Sequence, residues 1–423
     1  MTIELDYPYP EGSECPYPLF EQLRDEAPVY EMPDRAGVFI VTRYDDVHTV
    51  LATPVIYASR NSRGGLNGID WASAAAESAS MLESDAPDLK RKRDLAFTAL
   101  KPARMKLYDS RIQELADELI DAFVERGNCD FVQEFARPLP MRLTLWLMGV
   151  PEEDMEFIKL WGRFESSGLS FMPEEFQEQQ RRNGQRMTAY LTDLLQSRYA
   201  TPGDDIVSLV VSEHVARDGS FDPAYVLQQL IVLLAGGVNT TAHFLSSMLL
   251  LLLENPEQLE RARIGPKELK RTIEECLRLE SPAVWVSRYV TKDTELDGTQ
   301  IPAGSFVLAM LASANRDRDK FDCPADLDVS RPNVRDHMAF GYGKHFCIGA
   351  PLARLEVRIA FERLFARLGD IRLAAGNDFT HFESSSFRGL NHLQIEFEPS
   401  AENMPPAESV GGVLHTPDPG QQA

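Results

Sequence analysis

The chain has 423 residues, 43% of them hydrophobic, and its 43 basic and 65 acidic residues give a formal charge of −22. So acidic a chain excludes nucleic acid or an anionic membrane as a partner over its whole surface and makes any basic patch conspicuous. Five scattered cysteines (Cys15, Cys129, Cys276, Cys323, Cys347) form no disulfide framework and fit a reducing compartment.

Residues 1–14 read as a loose lead-in without the basic and apolar regions of a signal peptide, so a cytoplasmic protein is expected. Val38 to Thr42 is β-branched and aromatic and predicts a strand, with Val29 and Tyr30 in its partner; Asp45 to Leu51 predicts a short helix. Residues 59–84 are rich in Gly, Ser and Ala and predict a loop. Helical periodicity then dominates from about Pro87 to Asn255, with breaks at Gly127, Pro151, Pro173, Pro202 and Gly219. The most apolar stretch, Tyr225 to Leu253, is interrupted by Gln228, Gln229, Asn239, Thr240, Thr241 and His243, which predicts a long core helix and no membrane span. Pro256 and Glu257 open another helix. Beyond Pro282 the pattern changes to short strands and turns, with a hairpin and strand over Leu296 to Leu311, and a last helix is predicted from Ala350 to Arg367. Residues 401–423 are rich in Pro and Gly and predict a disordered tail. One mainly α domain over 15–400, with a smaller β-rich part, is the expected organisation.

The most informative segment is Phe340-Gly341-Tyr342-Gly343-Lys344-His345-Phe346-Cys347-Ile348-Gly349, followed by Ala350-Pro351-Leu352-Ala353-Arg354-Leu355-Glu356. Three glycines let the backbone turn tightly and approach a flat ligand. Cys347 stands just before a helix whose start Pro351 marks, so backbone N–H groups and the positive helix end favour a thiolate. A thiolate facing a planar ligand suits an axial heme ligand, and electron donation from sulfur favours O–O cleavage. Taken alone, a cysteine in such a turn is a buried structural residue. The whole run, however, resembles the heme-binding signature of the cytochromes P450, including the Leu-Ala-Arg that follows.

That resemblance extends over residues 15 to 398 and implies the helical prism of the P450 fold around a noncovalent heme b; no Cys-x-x-Cys-His is present for covalent attachment. It implies that Cys347 binds the iron, with Phe340, Gly341 and Gly349 shaping the loop. It assigns Arg93, Arg288 and His345 to the heme propionates. Many bacterial members carry a histidine where this chain has Leu89, so one propionate bond is expected to be missing. Glu275 and Arg278 match the family's Glu-x-x-Arg pair, with Arg331 as the third member, and Ala314-Asn315-Arg316-Asp317 matches another scaffold stretch.

Gly236-Gly237-Val238-Asn239-Thr240-Thr241 interrupts the apolar helix, and two adjacent helical glycines cost about 1 kcal/mol each relative to alanine. They are expected where something lies against the backbone. By the resemblance Thr240 helps deliver protons during oxygen activation. The position before it is usually acidic; Asn239 cannot ionise. A structural kink is the other reading of both residues. Family analogy places Leu66, Phe164, Phe171, Val232, Ala235, Gly236, Val284, Val286 and Phe387 around a substrate cavity, and their apolar character fits a small or medium hydrophobic substrate; each is equally at home in a plain core.

Between Lys90 and Arg111 eight basic residues face two acidic ones, a local charge of +6. Such a run is ordinarily a solvated face. The resemblance places it on the thiolate side of the heme near Lys344 and Arg354, where the family receives electrons. Lys90, Arg91, Lys92, Lys101, Arg104 and Lys344 are thus predicted to dock a ferredoxin served by a separate reductase. The expected function is monooxygenation of a hydrophobic molecule by hydroxylation, epoxidation or oxidative demethylation. The alternatives are a peroxide-driven peroxygenase, a heme-thiolate isomerase or dehydratase, and a noncatalytic heme sensor.

Overall fold

The computed structural model describes residues 3–9, 12, 14–60, 62, 80–151, 154, 171–382 and 384–400. Helices α1 (Tyr17–Glu26) and α2 (Tyr44–Ala52) flank strands β1 (Val29–Glu31) and β2 (Val38–Val41), and β3 is Tyr57–Ala58. The helical body comprises α3 (Asp88–Phe97), α4 (Pro102–Asp121), α5 (Pro138–Met148), α6 (Glu174–Ala200), α7 (Ile206–Asp218), α8 (Pro223–Glu254), α9 (Pro256–Arg263) and α10 (Pro266–Leu279). Strand β4 (Asn128–Asp130) lies between α4 and α5. After α10 come β5 (Val286–Val290), β6 (Thr294–Leu296), β7 (Thr299–Ile301), β8 (Phe306–Ala309), the single turn α11 (Leu311–Ala314), α12 (Ala350–Arg367), β9 (Leu368–Leu373) and β10 (Gln394–Pro399).

Local chemistry explains most boundaries. Asp205 and Asp222 cap α7 and α8 by accepting the N–H groups of Ser208 and Tyr225, at 2.7 and 3.1 Å. Gly149 and Gly219 end α5 and α7 in the left-handed conformation. The hairpin of β6 and β7 turns through Asp297 and Gly298, both at positive φ. The expected helix after Pro256 is two helices, because Gly265 and Pro266 divide it.

Five strands form a sheet in the order β1-β2-β8-β5-β3, with only the β2–β8 pair parallel. A second sheet, β4-β10-β9, closes against the end of the helical body. Its short strands have no clear alternation and are not evident from the sequence. The lead-in expected to be loose is partly packed: Ile3 and Tyr7 are buried, and the Tyr7 hydroxyl donates to the Ser385 carbonyl at 2.5 Å. Residues 401–423, expected to be disordered, lie outside the described residues.

Helix α8 is 32 residues long and apolar enough to cross a membrane by length and composition, but 56% of its most apolar window is inside the protein. Gln229, His243, Ser246 and Ser247 are buried with it. It is the central core helix of the body, packed against α5, α6 and α10.

Candidate functional site

The loop before α12 is wound around its own backbone. Gly341 N–H donates to Met338 O at 2.8 Å, Phe346 N–H to Gly343 O at 3.1 Å and Cys347 N–H to Phe340 O at 2.9 Å. At Gly343, with φ +70°, a Cβ would come within 2.9 Å of the Leu51 carbonyl oxygen, so α2 and the loop meet at a distance only glycine permits. Asn315 fixes the approach to the loop: its side-chain Oδ1 accepts Met338 N–H at 2.6 Å while its Nδ2 donates to Ser281 Oγ at 2.8 Å. Gly349 caps α12 with ordinary helical angles, its pro-Cβ position 3.8 Å from the Cys347 sulfur.

Cys347 is exposed, yet enough protein surrounds it that burial pushes its thiol up; the N–H groups of Gly349 and Ala350, then Arg93 and Arg354, pull it back down. Around it the structure gathers basic groups short of counter-charge. Arg288 on β5 is 8% exposed, and among the described residues its guanidinium bonds only the carbonyl of Ser287, at 2.7 Å. Burial pulls it down to about 10, opposed by Asp85. That carboxylate is itself engaged, accepting the N–H groups of Ser59 and Arg60 at 3.0 and 3.1 Å. Arg93 donates to the Phe346 carbonyl at 2.8 Å. Burial, then the neighbouring Arg288, pulls the His345 imidazole down to about 4, and its buried Nε2 has no partner among the described residues. Helix α12 brings a carboxyl of its own, Glu356, but burial pushes it up to about 8, so it is mostly uncharged at neutral pH. Leu89 contributes no donor; it is buried with Met81 and Ala96.

Helix α8 supplies the opposite wall. Val232, Ala235, Gly236, Asn239 and Thr240 fall at helical spacings on one face, and none is sealed, whereas Leu234, Val238 and Thr241 are buried. The two adjacent glycines have different reasons. At Gly237 a Cβ would meet Thr144 Oγ1 of α5 at 3.3 Å; at Gly236 nothing lies within 4 Å. Thr240 Oγ donates to the Gly236 carbonyl at 2.7 Å, and the Asn239 amide has no hydrogen-bond partner among the described residues. Val232 of this face and Ile348, next to Cys347, pack against the same small cluster of Met81, Leu89 and Ala96.

The other cavity candidates divide. Val286 and Phe387 are partly open, and Ala283, which bridges to Phe387, is open with them. Val284 and Phe171 are not: both are sealed with Trp285 in a core cluster packed under the five-stranded sheet, which corrects their assignment to the cavity. Leu66 and Phe164 lie outside the described residues.

The basic run is less free than its sequence suggests. Lys92 is 2% exposed, which corrects its assignment as a docking residue: its side chain points inward to Ser84. Lys90 pairs with Asp94, Arg91 with Asp218 at 2.7 Å and Arg104 with Asp204 at 3.6 Å. Lys101 and Lys344 are exposed without an ion pair among the described residues.

Two consecutive glutamates on α10 tie the loop to the body. Glu275, fully buried, accepts both Arg278 (2.8 Å twice) and Arg331 (3.0 Å), so the expected triad is present. Glu274, which the sequence did not single out, receives Arg354 of α12 at 2.6 and 2.7 Å and His337 at 3.1 Å. Arg354 also stacks over Phe340, 4.4 Å from its centroid. The signal was present only as another Glu on a helix face; its partners are 63 and 80 residues away.

The residue set suits a flat apolar group bearing carboxylates and a metal that takes a thiolate. Among the described residues it combines one sulfur beside helix N–H groups, two guanidiniums without carboxylate bonds, an imidazole nitrogen without a partner and an apolar open wall.

Comparison with known proteins agrees. The family model described as Cytochrome P450 matches residues 153–264 and 267–369. The chain is similar to the cytochrome P450 monooxygenase PikC of Streptomyces venezuelae, 33% identical with 92% of each chain covered. It is also similar to a steroid C26-monooxygenase of Mycobacterium tuberculosis, 34% identical over 89% of this chain and 99% of that one. Among solved structures, CYP109E1 from Bacillus megaterium in complex with testosterone superposes with a TM-score of 0.82 at 28% identity, covering 92% of this chain and 99% of that one. CYP109Q5 from Chondromyces apiculatus gives 0.81 at 31% identity, covering 93% and 98%.

Burial opposes ionisation of Glu274, but Arg354 and His337 outweigh it and hold the carboxyl down to about 2. A depressed carboxyl stabilises the fold above its unfolded value, near 4.5, and loses that contribution as pH falls toward 2. Glu274→Gln is therefore expected to destabilise the protein by on the order of 3 kcal/mol at pH 7. Urea unfolding of both proteins should show the gap shrinking as the pH is lowered from about 4.5.

Proposed function

The chain belongs to the cytochrome P450 family, whose members bind heme b and act as monooxygenases, and we propose that it is a cytoplasmic, ferredoxin-driven monooxygenase of a small or medium hydrophobic substrate. The observation that carries this reading is the convergence of the Cys347 loop and the open face of α8 on the same packing cluster. Heme held there supplies oxygen activation at a thiolate-bound iron. Cys347 is the proposed ligand, and Arg93, Arg288 and His345 are the groups proposed to hold the propionates. Phe340, Gly341 and Gly349 set the loop that presents the sulfur.

On the other wall Thr240 is the proposed proton-handling residue. Its own proton is committed to the Gly236 carbonyl, so its oxygen presents lone pairs toward the open face. It therefore accepts a hydrogen bond first, and passes a proton on by exchanging its helix bond. Asn239 orients a water but is no acid, so the proton must enter from solvent along the polar end of the open face. Asn239 also favours a second reading, a peroxide-driven peroxygenase or a heme-thiolate isomerase or dehydratase, in which such a relay matters less. Val232, Ala235, Gly236, Val286 and Phe387, with Ala283, make an apolar lining. That lining, the steroid-oxidising relative and the testosterone-bound structure together favour a hydrophobic substrate.

Carbon monoxide added to the reduced protein should give the red-shifted Soret band of a thiolate-ligated heme, and Cys347→Ala should lose it. Persistence of that band in the variant would move the ligand elsewhere. Thr240→Ala should cut productive turnover by about tenfold or more while peroxide released per product rises. Asn239→Asp should raise coupling if the position belongs to the proton path; with the peroxygenase reading, both variants leave peroxide-driven turnover unchanged. For the ferredoxin, Lys101→Glu and Lys344→Glu are the informative changes, because these exposed cations make no ion pair among the described residues. Each should slow reduction without altering substrate binding, and the wild-type rate should fall with salt, since charges are screened beyond about 8–10 Å at physiological ionic strength. A rate indifferent to both variants and to salt places docking on another face.

A further inference from the structure

The first described residues of the chain reach across the molecule to the turn that carries Phe387. Tyr7 is 2% exposed, its ring packed edge-on against Phe20 at 5.4 Å, and its hydroxyl donates to the Ser385 carbonyl at 2.5 Å. The indole N–H of Trp285 donates to the same oxygen at 2.6 Å. Ser385 is buried, so its carbonyl needs a partner. Trp285 already supplies one. A phenylalanine at position 7 would keep the packing and bring no buried hydroxyl in need of an acceptor. A second donor on one carbonyl, 378 residues away along the chain, therefore points to a fixed position for the turn.

Within residues 384–388 only Phe387 is partly open. Its backbone is held from inside the turn and from the segment opposite. Ser384 Oγ accepts the N–H groups of Ser386 and Phe387, at 3.2 and 2.9 Å. The Ser386 carbonyl accepts Val284 N–H at 2.8 Å, the Pro282 carbonyl accepts Arg388 N–H at 2.9 Å, and Phe387 bridges to Ala283. The N-terminal segment then holds the turn on both sides of Phe387. Tyr7 takes Ser385, and the Arg388 guanidinium donates to the Glu14 carbonyl at 2.7 Å. A segment outside the helical body is thus bonded two residues from a side chain of the apolar lining.

We propose that Tyr7 is a positioning residue for substrate selection: by holding the Ser385 carbonyl it sets where Phe387 stands, and so how large a hydrophobic ligand the cavity accepts. This rests on the reading that Phe387 lines the substrate cavity. A tyrosine that merely anchored the N-terminal segment would change stability and leave ligand discrimination alone. One that positions Phe387 changes the preference between large and small ligands, and does so only while the Phe387 ring is present.

The test uses the ferric heme protein and two iron-binding probes, imidazole and 1-dodecylimidazole, each titrated by its shift of the Soret band. Both are anchored by the same type of nitrogen, and only the second extends a chain along the lining. The readout is the ratio of their dissociation constants in wild type, Tyr7→Phe, Phe387→Ala and the double variant, with thermal unfolding as the check on folding. Tyr7→Phe should weaken 1-dodecylimidazole about fivefold, the size of one lost hydrogen bond, and leave imidazole unchanged. Phe387→Ala should shift the ratio too. Adding Tyr7→Phe to Phe387→Ala should shift it no further, because residues acting through one another are not additive. A wild-type ratio in folded Tyr7→Phe, or the same loss repeated in the Phe387→Ala background, overturns the proposal. If Tyr7→Phe does not fold, Tyr30→Phe decides. The Tyr30 hydroxyl accepts Ile3 N–H at 3.0 Å and donates to its carbonyl at 3.2 Å, so its loss slackens the same segment. A shifted ratio is expected there, and a wild-type ratio overturns the proposal. A wild-type ratio in Phe387→Ala sinks the lining assignment, and this inference with it, a failure distinguishable from one confined to Tyr7.

Discussion

The polypeptide around Cys347 carries buried positive charge that it does not itself balance. Arg288 and Arg93 end on carbonyl groups, and the His345 Nε2 has no partner among the described residues. Asp85, the carboxylate felt by both Arg288 and His345, is taken up by two backbone N–H groups. Unbalanced buried charge of this kind costs several kcal/mol per group, so the proposed heme carboxylates would complete the fold electrostatically. The rest of the architecture brings these residues together. The five-stranded sheet delivers Arg288 from β5, α3 delivers Arg93, and the loop before α12 delivers His345 and the sulfur.

What keeps that arrangement rigid is a pair of neighbouring glutamates with different partners. Glu275 is enclosed by Arg278 and Arg331 and locks α10 to the irregular chain before the cysteine loop. Glu274 reaches Arg354 and His337, locking the same helix to the first turns of α12. Because Arg354 also covers Phe340, whose carbonyl receives the Cys347 N–H, a displacement of α10 is transmitted to the sulfur through two bonds and one stack. Charge pairing and the position of the Cys347 loop are thus parts of one network.

The sequence disclosed those features whose causes are local. The Cys347 loop was legible because glycine spacing, the following helix start and the cysteine stand within a dozen residues. The bounds of α12 and the hairpin of β6 and β7 were legible for the same reason. Lys92 was misread because a charge run looks like a solvated face, and only the packing of α3 onto the turn at 80–84 shows that one of its four consecutive basic residues points inward. Val284 was misread because its neighbours, not its type, decide which way it faces. Glu274 was missed because its worth lies in partners distant along the chain. The β4-β10-β9 sheet was missed because strands of three and six residues carry too little periodic signal.

The central claim is that the chain's unbalanced cations are completed by the heme carboxylates. Heme-depleted protein titrated in parallel with heme and with heme dimethyl ester, whose propionates are neutral, addresses it directly. The two ligands share the iron, the flat ring and the route to Cys347. The account predicts that the ester binds at least about tenfold more weakly and raises the unfolding temperature less than heme does. Equal affinity and equal stabilisation would contradict it.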